Sequence, residues 1–226
     1  MDHRDHRADA LRSDERRWER RPDDRPRVLM TSALKLLKRH GYRRVRLEDI
    51  ARDAGVSKAI VYHYFANKDD LLTRSVASRM AERREEIERR VASAGGSASD
   101  RLRLFLEDFW TNSLTAQSGL WQRMVVGEMA KEAPDVFAAW AKGLVQRWRF
   151  VETLIREGQA SGEFRRSADA AVVARLIVSG LAYQALFHVH LGVSRFAPCK
   201  VDRLFNSSMD LLLNGTHSPA RRALRR

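Results

Sequence analysis

A single cysteine, Cys199, stands in 226 residues, so no disulfide can close within the chain. A reducing, cytoplasmic setting is the expectation that follows. The first residues, MDHRDHRADALRSDERRWERRPDD, contain no apolar run of the kind a secretory signal needs. No segment sustains an alternation of apolar and polar residues, which argues against a sheet, and no internal repeat is evident. Chemistry is missing as well: there is no glycine-rich loop to cradle phosphate, no Ser-x-x-Lys and no Gly-x-Ser-x-Gly. His188 and His190 are the nearest approach to a metal motif, yet at i and i+2 they do not share a helix face. No cysteine or carboxylate cluster completes a shell around them, so structural or ligand-facing roles suit them better. The expectation is a protein that is not an enzyme and that carries neither a metal nor a cofactor.

What is abundant is charge. The formal net charge of +13 and a pI near 10.7 suggest a polyanionic partner. Residues 1–25 hold eight Arg against eight Asp plus Glu, so this arm is neutral overall and reads as a disordered polyampholyte. The surplus lies further on. Residues 26–66 contain nine Lys plus Arg against Glu48, Asp49 and Asp53, an excess of six. The last residues, 216–226, form a basic tail expected to be flexible. A chain of this length buries roughly 70% of its unfolded surface, enough for a proper core in one or two domains. One apolar stretch, residues 170–191, is long enough to be weighed as a membrane span. Arg175, Gln184, His188 and His190 interrupt it, and those groups are costly in hydrocarbon; a helix buried at a protein interface is the better reading, with no membrane partner.

Helical periods run through almost the whole remainder, giving an all-α expectation. Pro26 suits the first turn of a helix in which Val28, Leu29, Ala33, Leu36 and Leu37 recur until Gly41 stops it. Residues 46–65, RLEDIARDAGVSKAIVYHYF, then bring two short helical patterns together at an Ala-Gly-Val-Ser corner. Leu47, Ile50 and Ala51 make an apolar face; Gly55 can take the positive φ of a sharp corner, and Ser57 can cap the next helix. Ile60, Val61 and Phe65 face inward. Lys58, Ala59, Tyr62 and His63 are left facing out, a positive, aromatic and hydrogen-bonding strip suited to a DNA major groove. Asn67, with Asp70 three residues on, marks the start of a longer helix running to about Val91. After the compositional break AGGSAS at 94–99, further helical periods cover 100–115, 120–131, 134–159, 168–191 and 198–213, separated by Ser-Gly, Ala-Pro and Gly signals.

With those residues in view, the helix ending at Gly41-Tyr42 followed by LEDIARDAGVSKAIVYHYFANKDDLL resembles the TetR-family transcriptional regulators over roughly residues 28–80. Beyond residue 95 the likeness is architectural, carried by Gly-Glu-Phe at 162–164 and the apolar final helices. The resemblance implies an N-terminal three-helix helix-turn-helix DNA-binding domain at 26–72. A long helix would join it to a helical ligand-binding and dimerisation domain at 73–215. It also implies a homodimer whose recognition helices read half-sites about 34 to 36 Å apart on a roughly palindromic operator. The DNA contacts expected are Arg46, Leu47, Ser57, Lys58, Ala59, Tyr62, His63, Tyr64 and Lys68. Two positions depart from the family pattern: Arg46 stands where a small hydroxyl residue normally caps the second helix, and Ala59 where glycine or another small residue is common.

In the second domain Trp110, Trp121, Met124, Trp148, Tyr183 and Phe187 are candidates to line a cavity for an apolar or aromatic effector. Ile177, Leu181, Leu204, Phe205, Met209 and Leu212 are candidates for a dimer interface built from the last two helices. The function expected is a DNA-binding regulator, a repressor released from its operator by a small molecule. An effector-independent architectural nucleic-acid binder is the alternative, and an enzyme using the helical cavity is a more distant one.

Overall fold

The computed structural model describes residues 24–216. All but the last two residues of the arm at 1–25, and all but the first of the tail at 216–226, lie outside the described residues. Every regular element in the described chain is helical, and contacts divide the chain into two compact units between Ser75 and Val76.

In the first unit α1 (Arg25–His40) opens with Pro26, where the missing N–H costs nothing, and closes at Gly41 with φ 76°. Its inward stripe is Leu29, Ala33, Leu36 and Leu37, all buried. The short helices α2 (Leu47–Ala54) and α3 (Lys58–Tyr64) follow, and then α4 (Lys68–Ala94) begins. Eight and seven residues are too few for a helix to persist alone in water, so α2 and α3 depend on what they bury. They bury Leu47, Ile50 and Ala51 from α2 and Val61 from α3, with Phe65 just beyond, and Leu29, Leu37, Leu71 and Leu72 are buried in the same unit. Each fully buried side chain of this kind contributes about 1.5–3 kcal/mol. The start of α4 is fixed by Asn67, whose Oδ1 accepts from the Asp70 N–H at 2.9 Å, while Asp70 accepts in return from the Ala66 N–H at 3.0 Å. Helix α4 continues three residues past the expected Val91 and stops before Gly95 and Gly96, both at positive φ.

The second unit packs α5 (Ala98–Ser113), α6 (Ala116–Met124), α7 (Pro134–Ala160), α8 (Ala170–Gln184) and α9 (Val201–Thr216). Three helices start earlier or later than their periodicity indicates because of local caps. Ser97 and Asp100 form a reciprocal capping box that starts α5 at Ala98. Thr115 accepts from the Ser118 N–H and starts α6 at Ala116 rather than near Leu120. Asp169 accepts from the Ala171 and Val172 N–H groups at the head of α8. Both α6 and α8 widen at their ends into π-helical turns, Val125–Met129 and Ala185–His190. A π turn leaves no trace in a 3.6-residue apolar period.

The Gly-Glu-Phe segment gains a structural meaning. Glu163 is buried, and its carboxylate accepts from the Ala98 N–H at 3.1 Å and the Ser99 N–H at 3.0 Å, closing the N-terminus of α5 from 65 residues away in sequence. An anion at the positive end of a helix is favoured there. Phe164 packs so closely on Gly158 that a Cβ at that glycine would fall 2.2 Å from the ring. His190 is likewise structural: its Nε2 donates to the Ser113 carbonyl at 2.7 Å, while its ring lies against Gly119.

The expected dimer residues need correction. Ile177 is 1% exposed, and Leu181, Phe205 and Met209 are also buried inside the unit, with Leu204 packed against the same core. The reason is geometric: α8 has two apolar faces, and Ile177 and Leu181 lie on the one that meets α5 and α7, while Leu204, Phe205 and Met209 of α9 join the same core. The side chain of Leu212 lies outside the described residues. The outward face of α8 carries Val172, Leu176, Tyr183 and Phe187, with Leu176 66% exposed; Leu211 of α9 is 73% exposed. The segment Ala170–His190 is long and apolar enough to cross a membrane by length and composition alone, but its inward face supplies core.

Candidate nucleic-acid interface and ligand cleft

The corner between α2 and α3 is closed by backbone alone. Gly55 adopts φ 70°, ψ 33°, and the Val56 N–H reaches back to the Ala51 carbonyl at 3.0 Å. This left-handed C-cap is nearly strain-free for glycine only. Ser57 then accepts from the Ile60 N–H at 3.4 Å, starting α3 immediately after the corner. Val61 and Phe65 anchor α3 from beneath, and Lys58, Ala59, Tyr62 and His63 lie exposed along its outer side, Tyr62 at 50%. Tyr64 is half-buried, its ring edge-on to His63.

Three of the expected contact residues carry further detail. Leu47 is corrected: its side chain is 8% exposed and belongs to the core, so only its backbone remains for a ligand to meet. Arg46 is exposed and caps α2 by position only, with no side-chain hydrogen bond, leaving its guanidinium to reach outward. Lys68 donates to the Tyr42 carbonyl at 3.3 Å and sits 3.9 Å from the Tyr42 ring centroid, while the Tyr42 hydroxyl donates to Asp69 at 2.8 Å. The Gly41-Tyr42 corner is thus fastened to the first turn of α4.

Sequence alone did not show the ion pairing that polarises this surface. Lys35 donates to Asp53 at 2.6 Å, Arg52 to Asp49 at 3.1 Å, and Lys58 to Glu48. The hydrogen bond from Lys58 holds the Glu48 carboxyl below its ordinary range, and Glu48 in turn raises Lys58. Lys35 lowers Asp53 in the same way. All three carboxylates between residues 26 and 66 are therefore engaged, and the excess of six positive charges over this stretch stays on the unit that carries α3.

In the second unit a cleft runs between α4, α5 and α7, with Phe105, Phe109 and Phe150 on its wall. None of the six expected ligand residues lines it. Trp110 is buried and stacks on Phe205 at 5.5 Å, and Met124 is buried too. Tyr183 and Phe187 stack on each other at 4.2 Å on the outer face of α8. Trp121 and Trp148 are half-buried, Trp148 beneath the Arg175 guanidinium at 5.6 Å. Aromatic residues at helical spacing fill the bundle here, and the cleft is walled by phenylalanines whose spacing gave no distinct signal.

A short helix held from behind, offered outward across a glycine corner and bordered by arginines, is the helix-turn-helix arrangement of DNA-binding proteins. Comparison with known proteins narrows the class: residues 29–74 match the bacterial regulatory proteins of the tetR family. The HTH-type transcriptional regulator BetI of Agrobacterium fabrum is 28% identical over 129 residues, covering 57% of this chain and 54% of BetI. The chain thus spans about half the length of that relative. Among solved structures, the transcriptional regulator FadR of Bacillus subtilis in complex with stearoyl-CoA superimposes with a TM-score of 0.66 at 20% identity, covering 84% of this chain and 98% of that one. Escherichia coli NemR in its reduced form gives 0.72 at 18%, covering 87% and 100%. These structural likenesses concern the fold.

Proposed function

We propose that this protein is a cytoplasmic, dimeric transcriptional repressor that binds a palindromic operator through α3 and leaves it when a small molecule occupies the second unit. The observation that carries the DNA-binding part is the exposed strip Lys58, Ala59, Tyr62 and His63 on a helix anchored from its other side by Val61 and by Phe65 just beyond it. Lys58 supplies charge to a phosphate or to guanine; Tyr62 and His63 pack on the sugar-phosphate backbone or a thymine methyl and hydrogen-bond through their polar tips. Ala59 offers a methyl group to thymine. Ser57, Tyr64, Lys68 and the backbone at Leu47 serve as flanking contacts, with Arg46 a further cation.

The dimer reading is supported by the outward apolar face of α8. Val172, Leu176, Tyr183 and Phe187, with Leu211 of α9, make a patch that a lone subunit would leave in water. Effector binding is supported by the cleft and by the stearoyl-CoA held by FadR, which shares the fold. A differential affinity of about 1–3 kcal/mol between two dimer states would change operator affinity roughly 5- to 150-fold.

Genomic footprinting with the wild type beside Lys58→Ala and Tyr62→Ala tests the reading. Phased, palindromic protection that both substitutions weaken is expected. Binding that is independent of sequence and only salt-sensitive would overturn it.

A further inference from the structure

The cleft between α4, α5 and α7 holds an unbalanced charge. Arg83, Arg84 and Arg147 line it against Glu88 and Asp108. Both carboxylates are already committed. Asp108 accepts from Arg83 through Oδ2 at 2.5 Å and from Arg90 through Oδ1 at 2.5 Å; Glu88 accepts from Arg84 at 3.3 Å. Arg83 is satisfied a second time by Glu86 at 2.8 Å. Arg147 is the exception: it has no hydrogen-bond or ion-pair partner among the described residues, and its guanidinium lies 5.1 Å from the centroid of the Phe109 ring. Phe109 in turn stacks parallel to Phe105, and Phe105 meets Phe150 at 5.4 Å.

Arg147 is half-buried, and a guanidinium partly withdrawn from water without an anion is costly. Burial first, and then the nearby charge of Arg83, push Arg147 down to about 10, against the weaker opposing pull of Asp108. It therefore remains a cation at neutral pH, with its hydrogen-bonding fork unused. An oxyacid head is the group that matches such a fork, since two N–H donors meet two oxygens at once. The adjoining phenylalanines offer only apolar surface.

We infer that the cleft binds a small organic anion, its carboxylate seated on Arg147 and its aromatic or other apolar body against Phe105, Phe109 and Phe150. This deepens the proposal that the second unit is an effector domain and rests on it. It also replaces a purely apolar effector with an anionic one.

Two isosteric probes test the charge directly. 2-Naphthoate and 2-naphthamide share a ring system and differ in whether the head is ionised. Titration calorimetry on the full chain should show naphthoate binding about tenfold or more tightly than the amide, as expected for a hydrogen-bonded charge pair. Arg147→Gln should abolish that preference while leaving naphthamide affinity unchanged. Arg147→Met, which keeps the apolar stem, provides a second neutral variant should the first fail to fold, and Arg147→Lys should retain part of the preference.

Equal affinity for the two probes in the wild type, absence of binding by both, or a preference that survives loss of the Arg147 charge would overturn the inference. Footprinting on the same preparations keeps the two proposals apart. Specific operator protection with no naphthoate preference sinks the anion site alone. An Arg147-dependent preference without specific protection sustains the site and sinks the repressor.

Discussion

In the proposed complex Lys58 meets DNA only by exchanging one partner for another. Its pairing with Glu48 puts a carboxylate where a phosphate would sit, so Glu48 competes with the operator at neutral pH. Glu48→Gln should therefore strengthen binding at low salt, while Lys58→Ala should weaken it across all sequences and flatten the salt dependence by about one counterion. Fluorescence anisotropy over a salt series checks both. The pH window of the pair follows from the shifts. A carboxyl lowered by folding contributes above its unfolded value and loses that contribution as pH falls through the folded one. A lysine raised by folding contributes below its unfolded value and loses it as pH rises through the folded one. The Lys58–Glu48 pair is thus complete across the neutral range and fades only toward acid or strong base. Gly55 is a separate case: a Cβ there would meet nothing within 4 Å, so Gly55→Ala is strained only by its φ of +70°. It should cost about 1–2 kcal/mol in chemical denaturation.

Helix starts in this protein are set by side chains, and one of those side chains is remote. Ser57, Ser97, Thr115 and Asp169 each cap the helix they precede, a pattern visible in a linear reading. Glu163 caps α5 across 65 residues and is invisible to that reading. Glu163→Gln keeps the shape and removes the charge, leaving an amide whose nitrogen cannot accept from either Ala98 or Ser99. A loss of about 1–3 kcal/mol is expected in thermal unfolding. Gly158→Ala should destabilise by a similar route, overpacking: the added methyl meets Phe164 at 2.2 Å, and forcing such a contact costs about 1–3 kcal/mol. These two changes act on the second unit and should leave the α2–α3 corner intact, which specific DNA protection would report.

Assembly turns on which face of α8 is spare. Leu176→Glu places a charge on the exposed face; analytical ultracentrifugation should find a folded monomer in place of the proposed dimer. Ile177→Glu, one residue along, buries a carboxylate in the core and should unfold the second unit instead, seen as lost helicity by circular dichroism. If Leu176→Glu stayed dimeric, the outward face of α8 would not be the interface.

The helix-turn-helix was legible from the sequence because its determinants are local: an apolar period on α2, a glycine at the positive-φ corner between α2 and α3, a hydroxyl at the next N-cap. The tetR-family pattern and the surface placement of Lys58, Ala59, Tyr62 and His63 follow from those few residues. The second unit was legible only as helices. Which of its aromatic residues fill the bundle, which apolar face of α8 stays outside and which arginine lacks an anion depend on how α5, α7 and α8 rotate against one another. Asp108 lies between Arg83 and Arg90, leaving Arg147 over, through contacts spanning distant positions in the chain. Local chemistry sets a helix and its caps; only packing decides what each helix turns toward.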